Sequence, residues 1–230
     1  NYAYLGDDNN SIKYYLDSAE SFKSLNDWRL GYSLLNISNI YLGRGDTDNA
    51  MIYNNQSLKL MEESDDKNGI YLNNQSKGNI FSFKGNYNKA TKIFKDCYNY
   101  FKEINDSRAI GLIQYFLGIN YFNQNDYLKS MKLFSQVINF QQVMESAEIG
   151  IDLIIYFALN KKILGEKYEV KNIKKLIVLG NEIEYELNYH LNHLLNDSTY
   201  LQVAYKQVQE RSEEHTSELQ SRRNLVCRLL

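Results

Sequence analysis

Three amide side chains and two aromatic ones carry the most suggestive chemistry in this chain: Asn39, Gln75, Asn79, Tyr115 and Phe122. A carboxamide offers one acceptor oxygen and two N–H donors, so a row of amides can bridge the backbone of an extended peptide without reading its side chains. Tyr115 and Phe122 could then hold an apolar anchor residue, or pack between neighbouring elements. Asparagine recurs throughout the chain, so the amides also fit a plain solvated surface.

Groups suited to catalysis are sparse. His190 and His193 lie three residues apart, but no carboxylate or cysteine sits at ligand spacing, and a surface or packing role suits them better than metal binding. His215 falls in a C-terminal tail of different composition. Gly43-Arg44-Gly45 reads as a helix C-cap, because no Lys-Ser or Lys-Thr follows to complete a phosphate cradle. The acid pairs Glu62-Glu63 and Asp65-Asp66 read as a solvated loop. Cys97 and Cys227 are far apart, which fits a reducing compartment and neither a disulfide framework nor a zinc site. A formal charge of −2, with lysines and acids interspersed, leaves no basic footprint for nucleic acid. No apolar run approaches the roughly 18 residues of a membrane span, and no signal peptide is visible. These features predict a cytoplasmic chain that is not an enzyme and uses no metal or cofactor.

The elements that must position the amides follow from a repeat. A small or polar turn residue, a small residue five positions on and a third residue four further recur as Gly6–Ser11–Tyr15, Gly45–Ala50–Asn54, Gly85–Ala90–Phe94 and Asn125–Ser130–Phe134, with Gly165–Val170–Lys174 as a weaker copy. The period is close to 40 residues. A period in this range marks a solenoid, whose units bury their apolar faces only by stacking on neighbours. With no proline and 43% hydrophobic residues, the chain can run helix after helix. Leu30, Leu34, Ile37 and Tyr41 share one face of a helix from Trp28 to Gly43, and Asp46 offers a cap for the next. Later units are predicted over 66–101, 106–140, 144–180 (first helix 144–164, second 167–180) and 182–209, the last jointed at Asn196-Asp197-Ser198.

Leu117-Gly118, Tyr121, Asn125-Asp126-Tyr127, Ser130 and Phe134 together resemble the tetratricopeptide repeat motif, and the resemblance covers residues 1–180. Leu34, Asn74 and Gln114 replace the usual tryptophan, no closing proline is present, and the period is 40 rather than 34. Forty-residue versions are similar to repeats in bacterial peptide-pheromone receptors and in signal-transduction ATPases, kinases and cyclases. The resemblance implies an all-α right-handed superhelix of five to six hairpins. Its concave wall would be lined by Tyr32, Leu35, Asn39 and Leu42, by Leu72, Gln75, Asn79 and Ser82, by Leu112, Tyr115, Ile119 and Phe122, and by Asp152, Ile155, Leu159 and Lys162. It further implies that concave asparagines grip peptides, which singles out Asn39 and Asn79.

The last twenty residues differ in character. Residues 211–230 hold four arginines and no lysine, isoleucine or tyrosine, and the run from Arg211 to Ser221 looks like one frame of a sequencing adapter. The expected organisation is therefore a repeat domain over 1–210, truncated at both ends, and a foreign tail over 211–230. The expected function is a peptide- or protein-binding sensor domain of a larger bacterial signalling protein, holding its ligand in the concave groove or docking another domain of its own chain. Alternatives are a pheromone receptor whose helix-turn-helix is missing and a purely structural array.

Overall fold

The computed structural model describes residues 8–24, 29–144, 150–179 and 183–213. Among the described residues there are eleven α-helices and no strand. They fall into two compact units, residues 1–113 and 114–230.

Unit 1 holds α1 (Asp8–Ser24), α2 (Arg29–Gly43), α3 (Thr47–Glu63), α4 (Lys67–Phe83), α5 (Tyr87–Glu103) and the start of α6 (Ser107–Asn123). Each of α1 to α4 packs on its successor, and α2 also reaches α4. One corner design explains why these helices stop and start where they do. Gly45 takes a left-handed φ of 81°; its N–H donates to the Leu42 carbonyl at 2.9 Å, and the Asp46 N–H to that of Tyr41 at 2.9 Å. That pair of bonds closes α2 as a Schellman cap, for which a residue at positive φ is required. Asp46 then opens α3, its carboxylate accepting from the Asn49 N–H at 3.0 Å. The same left-handed residue followed by Asp or Asn recurs at Asp65-Asp66, Gly85-Asn86 and Asn105-Asp106, with φ values of 53°, 76° and 55°. Asp65-Asp66 is thus a corner and its cap, correcting the expectation of a solvated acidic loop. Hairpins with corners this short run antiparallel.

The interior of unit 1 has two textures. Gly78 lies so close to Phe94 that an added Cβ would fall 2.6 Å from the ring, and Phe94, Cys97 and Ile80 are fully buried. One repeat earlier the equivalent pair is Ser38 and Asn54, and the seam between α2, α3 and α4 is polar. The Ser38 hydroxyl donates to the Ala50 carbonyl at 2.7 Å, Ser57 to Gly31 at 2.6 Å, and Asn54 Nδ2 to Asn73 at 2.9 Å. Asn54 and Asn73 are both fully buried, and their Oδ1 atoms accept no hydrogen bond from the protein.

Unit 2 begins within α6 and continues with α7 (Tyr127–Met144), α8 (Ile151–Ile163), α9 (Val170–Leu179), α10 (Tyr185–Leu195) and α11 (Ser198–Glu213). Its first hairpin keeps the earlier pattern. Asn125 turns at φ 62°, Asp126 caps α7 through the Lys129 N–H at 3.2 Å, and Gly118 lies against Phe134. Beyond α7 the regularity ends. The first helix predicted over 144–164 starts instead at Ile151, behind a Gly150 N-cap, while Met144 closes α7. Gly165 stops α8 at φ 75°, but Glu166 follows where the other corners place Asp or Asn. The second helix, predicted from Lys167, starts at Val170, with no Asp, Asn, Ser or Thr between Gly165 and Val170 to cap an earlier start. Val170, at the small-residue position of the weaker copy, is 39% exposed, and Ile173 is buried. The last corner lies as predicted: Asn196 is left-handed at φ 53°, and Asp197 accepts from the Thr199 N–H at 3.1 Å. Packing centres on α8 and α10, where Ile155, Leu159, Leu191 and Leu194 form a buried cluster. Of the tail, only 211–213 are described, as the end of α11; residues 214–230 and His215 and Cys227 among them lie outside the described residues, as do Asn1–Asp7 with Gly6.

Candidate functional site

The two halves of the predicted site lie in different units and are described separately. In unit 1, Asn39 projects from α2 as an exposed residue, and its Oδ1 accepts a hydrogen bond from the Ser76 hydroxyl of α4 at 2.6 Å. Ser76 is flanked by Gln75 and lies one turn before Asn79, so Asn39 is held onto the stretch of α4 that carries the other two amides. Both Gln75 and Asn79 are half-buried, and the Oε1 of Gln75 is enclosed without a protein donor. The same pair of helices is joined a turn or two earlier, where the Tyr32 hydroxyl donates to Asp66 at 2.7 Å. That carboxylate therefore caps α4 and ties α2 to it, and burial, then the carboxylate beside it, pushes the Tyr32 phenol up to about 12. Leu35, predicted for the same wall, is buried in the core.

In unit 2, Tyr115 and Phe122 sit in a cluster of acids and rings. The Tyr115 hydroxyl of α6 donates to the Asp152 carboxylate of α8, and the Tyr156 hydroxyl to Glu186 of α10, the latter at 2.7 Å. Phe122 sets its ring edge-to-face against Tyr156 and His190, with centroids 5.1 and 5.6 Å apart. Burial, then the nearby carboxylates, push both tyrosine phenols far above their usual value. Glu186 keeps half its side chain open, yet the surrounding protein desolvates its carboxyl enough to raise its pKa. His190 lies 3.9 Å from Glu186, close enough to pair if protonated, but burial outweighs that attraction and holds the ring neutral, with its pKa pushed down to about 4. Lys162 is occupied elsewhere: its ammonium donates to the His193 and Leu194 carbonyls and to Asn196 Oδ1, capping the C-terminus of α10. Ile155 and Leu159, also predicted for the wall, are buried.

Sequence reasoning placed Asp152 on this face but missed Tyr156, Glu186 and the engagement of His190. Their spacing does not follow the 40-residue period, because α10 packs on α8 past the short α9. His193 is exposed and packs its ring edge against Tyr189 at 4.6 Å. Among the described residues no group of three His, Cys, Asp or Glu could hold a metal ion. Nor is any described helix long and apolar enough to cross a membrane.

No protein-family model matches the chain, and no curated protein matches it. Solved structures do match in fold. One is a Signal Transduction ATPase with Numerous Domains from Pyrococcus horikoshii that has a tetratricopeptide repeat sensor, at a TM-score of 0.52 and 17% identity over 90% of this chain. Another is a putative kinesin light chain of nearly identical tetratricopeptide-like repeats from Podosopora anserina, at a TM-score of 0.53 and 11% identity, covering 85% of this chain and 92% of that one. The chain spans only 29% of the length of the ATPase. These likenesses show the fold: an all-α array of tetratricopeptide-like helical hairpins.

Proposed function

We propose that the chain is a peptide- or protein-binding repeat domain that serves as the sensor or interaction module of a larger signalling or regulatory protein. The observation that carries this reading is the amide patch of unit 1, where Asn39 is fixed against α4 beside Gln75 and Asn79 by the Ser76 hydroxyl. Amides held in place lose little rotamer freedom on binding, so their hydrogen bonds to an extended backbone are not spent on ordering the receptor. The likeness to a protein with a tetratricopeptide repeat sensor supports the sensor role, and no catalytic step is assigned to the chain. A ligand gripped across α2 and α4 would bias the packing of neighbouring hairpins and so reach an attached domain.

The test is panning of a random heptapeptide library against the purified chain, followed by affinity measurement of enriched peptides on the variant with Asn39→Ala and Asn79→Ala together. Binding at least tenfold weaker, with helix content and melting temperature nearly unchanged, is expected. Equal affinity would remove these amides from the function, and a library that enriches nothing would leave a purely structural array.

A further inference from the structure

The amide patch of unit 1 turns donors outward. The Asn39 Oδ1 accepts from Ser76, a residue 3% exposed, and the Gln75 Oε1 is enclosed by the protein. A carboxamide is planar and carries its oxygen and nitrogen on opposite sides of one carbon, so an oxygen turned into the helix pair leaves the NH2 group facing away from it. Among the described residues neither NH2 group donates to the protein, and the half-buried Asn79 side chain makes no hydrogen bond. The one cation between Gln75 and Asn79 in sequence is spent elsewhere, since Lys77 donates to Asn55 of α3. What remains is a set of uncharged N–H donors. A carboxylate arriving here would give up its water for neutral partners alone, whereas a peptide carbonyl gives up far less. The spacing fits as well. Gln75 and Asn79 stand one turn apart on α4, about 6 Å along the axis, and carbonyls two residues apart on one edge of an extended chain are separated by about 7 Å.

We propose that the patch takes the carbonyl edge of an internal, uncharged stretch of extended peptide, and that Ser76 is the positioning residue that sets this polarity by holding the Asn39 oxygen. This rests on the peptide-binding reading given above and adds to it which edge of the ligand is held. Asn39 acts through Nδ2, and a free C-terminus is not required.

The heptapeptide most enriched by panning, made with an amidated and with a free-acid C-terminus, tests this by calorimetric titration onto the full chain and its variants. Asn39→Asp keeps an acceptor for Ser76 and replaces the NH2 donor by a second oxygen, so it should weaken the amidated peptide at least tenfold with the melting temperature nearly unchanged. Asn79→Asp has no protein hydrogen bond to lose and should weaken it at least fivefold, which keeps the test open if Asn39→Asp does not fold. Ser76→Ala should weaken it at least threefold in the native chain and no further once Asn39 is replaced by alanine; a further loss there would strip Ser76 of the positioning role. The two C-termini should bind within twofold of each other. Native affinity in both aspartate variants, or at least tenfold tighter binding of the free acid, overturns the donor assignment. If Asn39→Ala and Asn79→Ala together still weaken the peptide in that event, the peptide-binding reading stands without it. If that pair leaves the affinity unchanged, or panning enriches nothing, both fail.

Discussion

Unit 1 and unit 2 answer the same packing problem in opposite ways. In unit 1 helices of near-constant length meet at identical corners, and the unusual chemistry is hidden: buried asparagines and serines bond across the seam of α2, α3 and α4. In unit 2 the corners become irregular after α7, buried polar residues are fewer and scattered, as where Asn160 donates to Ser130, and further chemistry lies on a partly open face where tyrosines hold carboxylates. A regular array repeats the same contacts from hairpin to hairpin and leaves little freedom to vary them. In unit 2 α10 settles on α8 beside the short α9 and brings Glu186 and His190 to Tyr156.

The contrast can be broken most forcefully at the apolar end of unit 1. Phe94→Ala empties a fully buried ring site against Gly78 and should cost about 3–5 kcal/mol in denaturant unfolding, whereas a cost below 1 kcal/mol would mean the interior is looser than described. In unit 2, His190 supplies a pH signature. Its folded pKa of about 4 lies below the unfolded 6.5, so the unfolded chain takes up the proton first. Its stabilising effect is present above pH 6.5 and fades as pH falls towards 4. About 1–2 kcal/mol should be lost between pH 7 and 5, and less in His190→Gln. Glu186, whose pKa is raised, acts in the opposite sense in both proteins, so the difference between their pH profiles isolates the imidazole. Parallel profiles would show that the ring is not buried neutral.

Replacing Ser38 by Gly and Asn54 by Phe copies the Gly78 and Phe94 pairing into the polar seam, and should raise unfolding free energy by about 1 kcal/mol because one buried amide with an unmet acceptor gives way to a packed ring. A loss of stability would mean that the polar seam is the better-packed solution there. The smallest effect belongs to the corners: Asp106→Ala removes only the bond from the Ala109 N–H and should cost about 1 kcal/mol by thermal melting. Asp66→Ala should cost more, since it also strands the Tyr32 hydroxyl.

The hairpin repeat was legible from the turn and small residues at 40-residue spacing, and Ala50, Ala90 and Ser130 are indeed fully buried. Five of the seven described corners were also written plainly, as Gly or Asn before Asp or Asn. Asp65-Asp66 escaped because two adjacent acids suggest solvation, although aspartate tolerates the left-handed region and is a strong N-cap. The unit 2 face was only partly legible. Tyr115, Phe122 and Asp152 stood out by register, but Glu186 and His190 come to Tyr156 through the packing of α10 on α8, whose spacing departs from the 40-residue period. Helix starts after Glu166 were misjudged for a similar reason: the absence of an Asx residue is a quiet signal beside a glycine that marks the stop.

At three corners of unit 1 one aspartate, Asp46, Asp66 or Asp106, ends one helix through its amide and begins the next through its side chain. Such a joint contains no spare length. A codon inserted between Gly45 and Asp46 would have to be absorbed by fraying a helix end, so variation in length among descendants of this gene should collect outside these joints, and lineages should lengthen the array by duplicating whole hairpins.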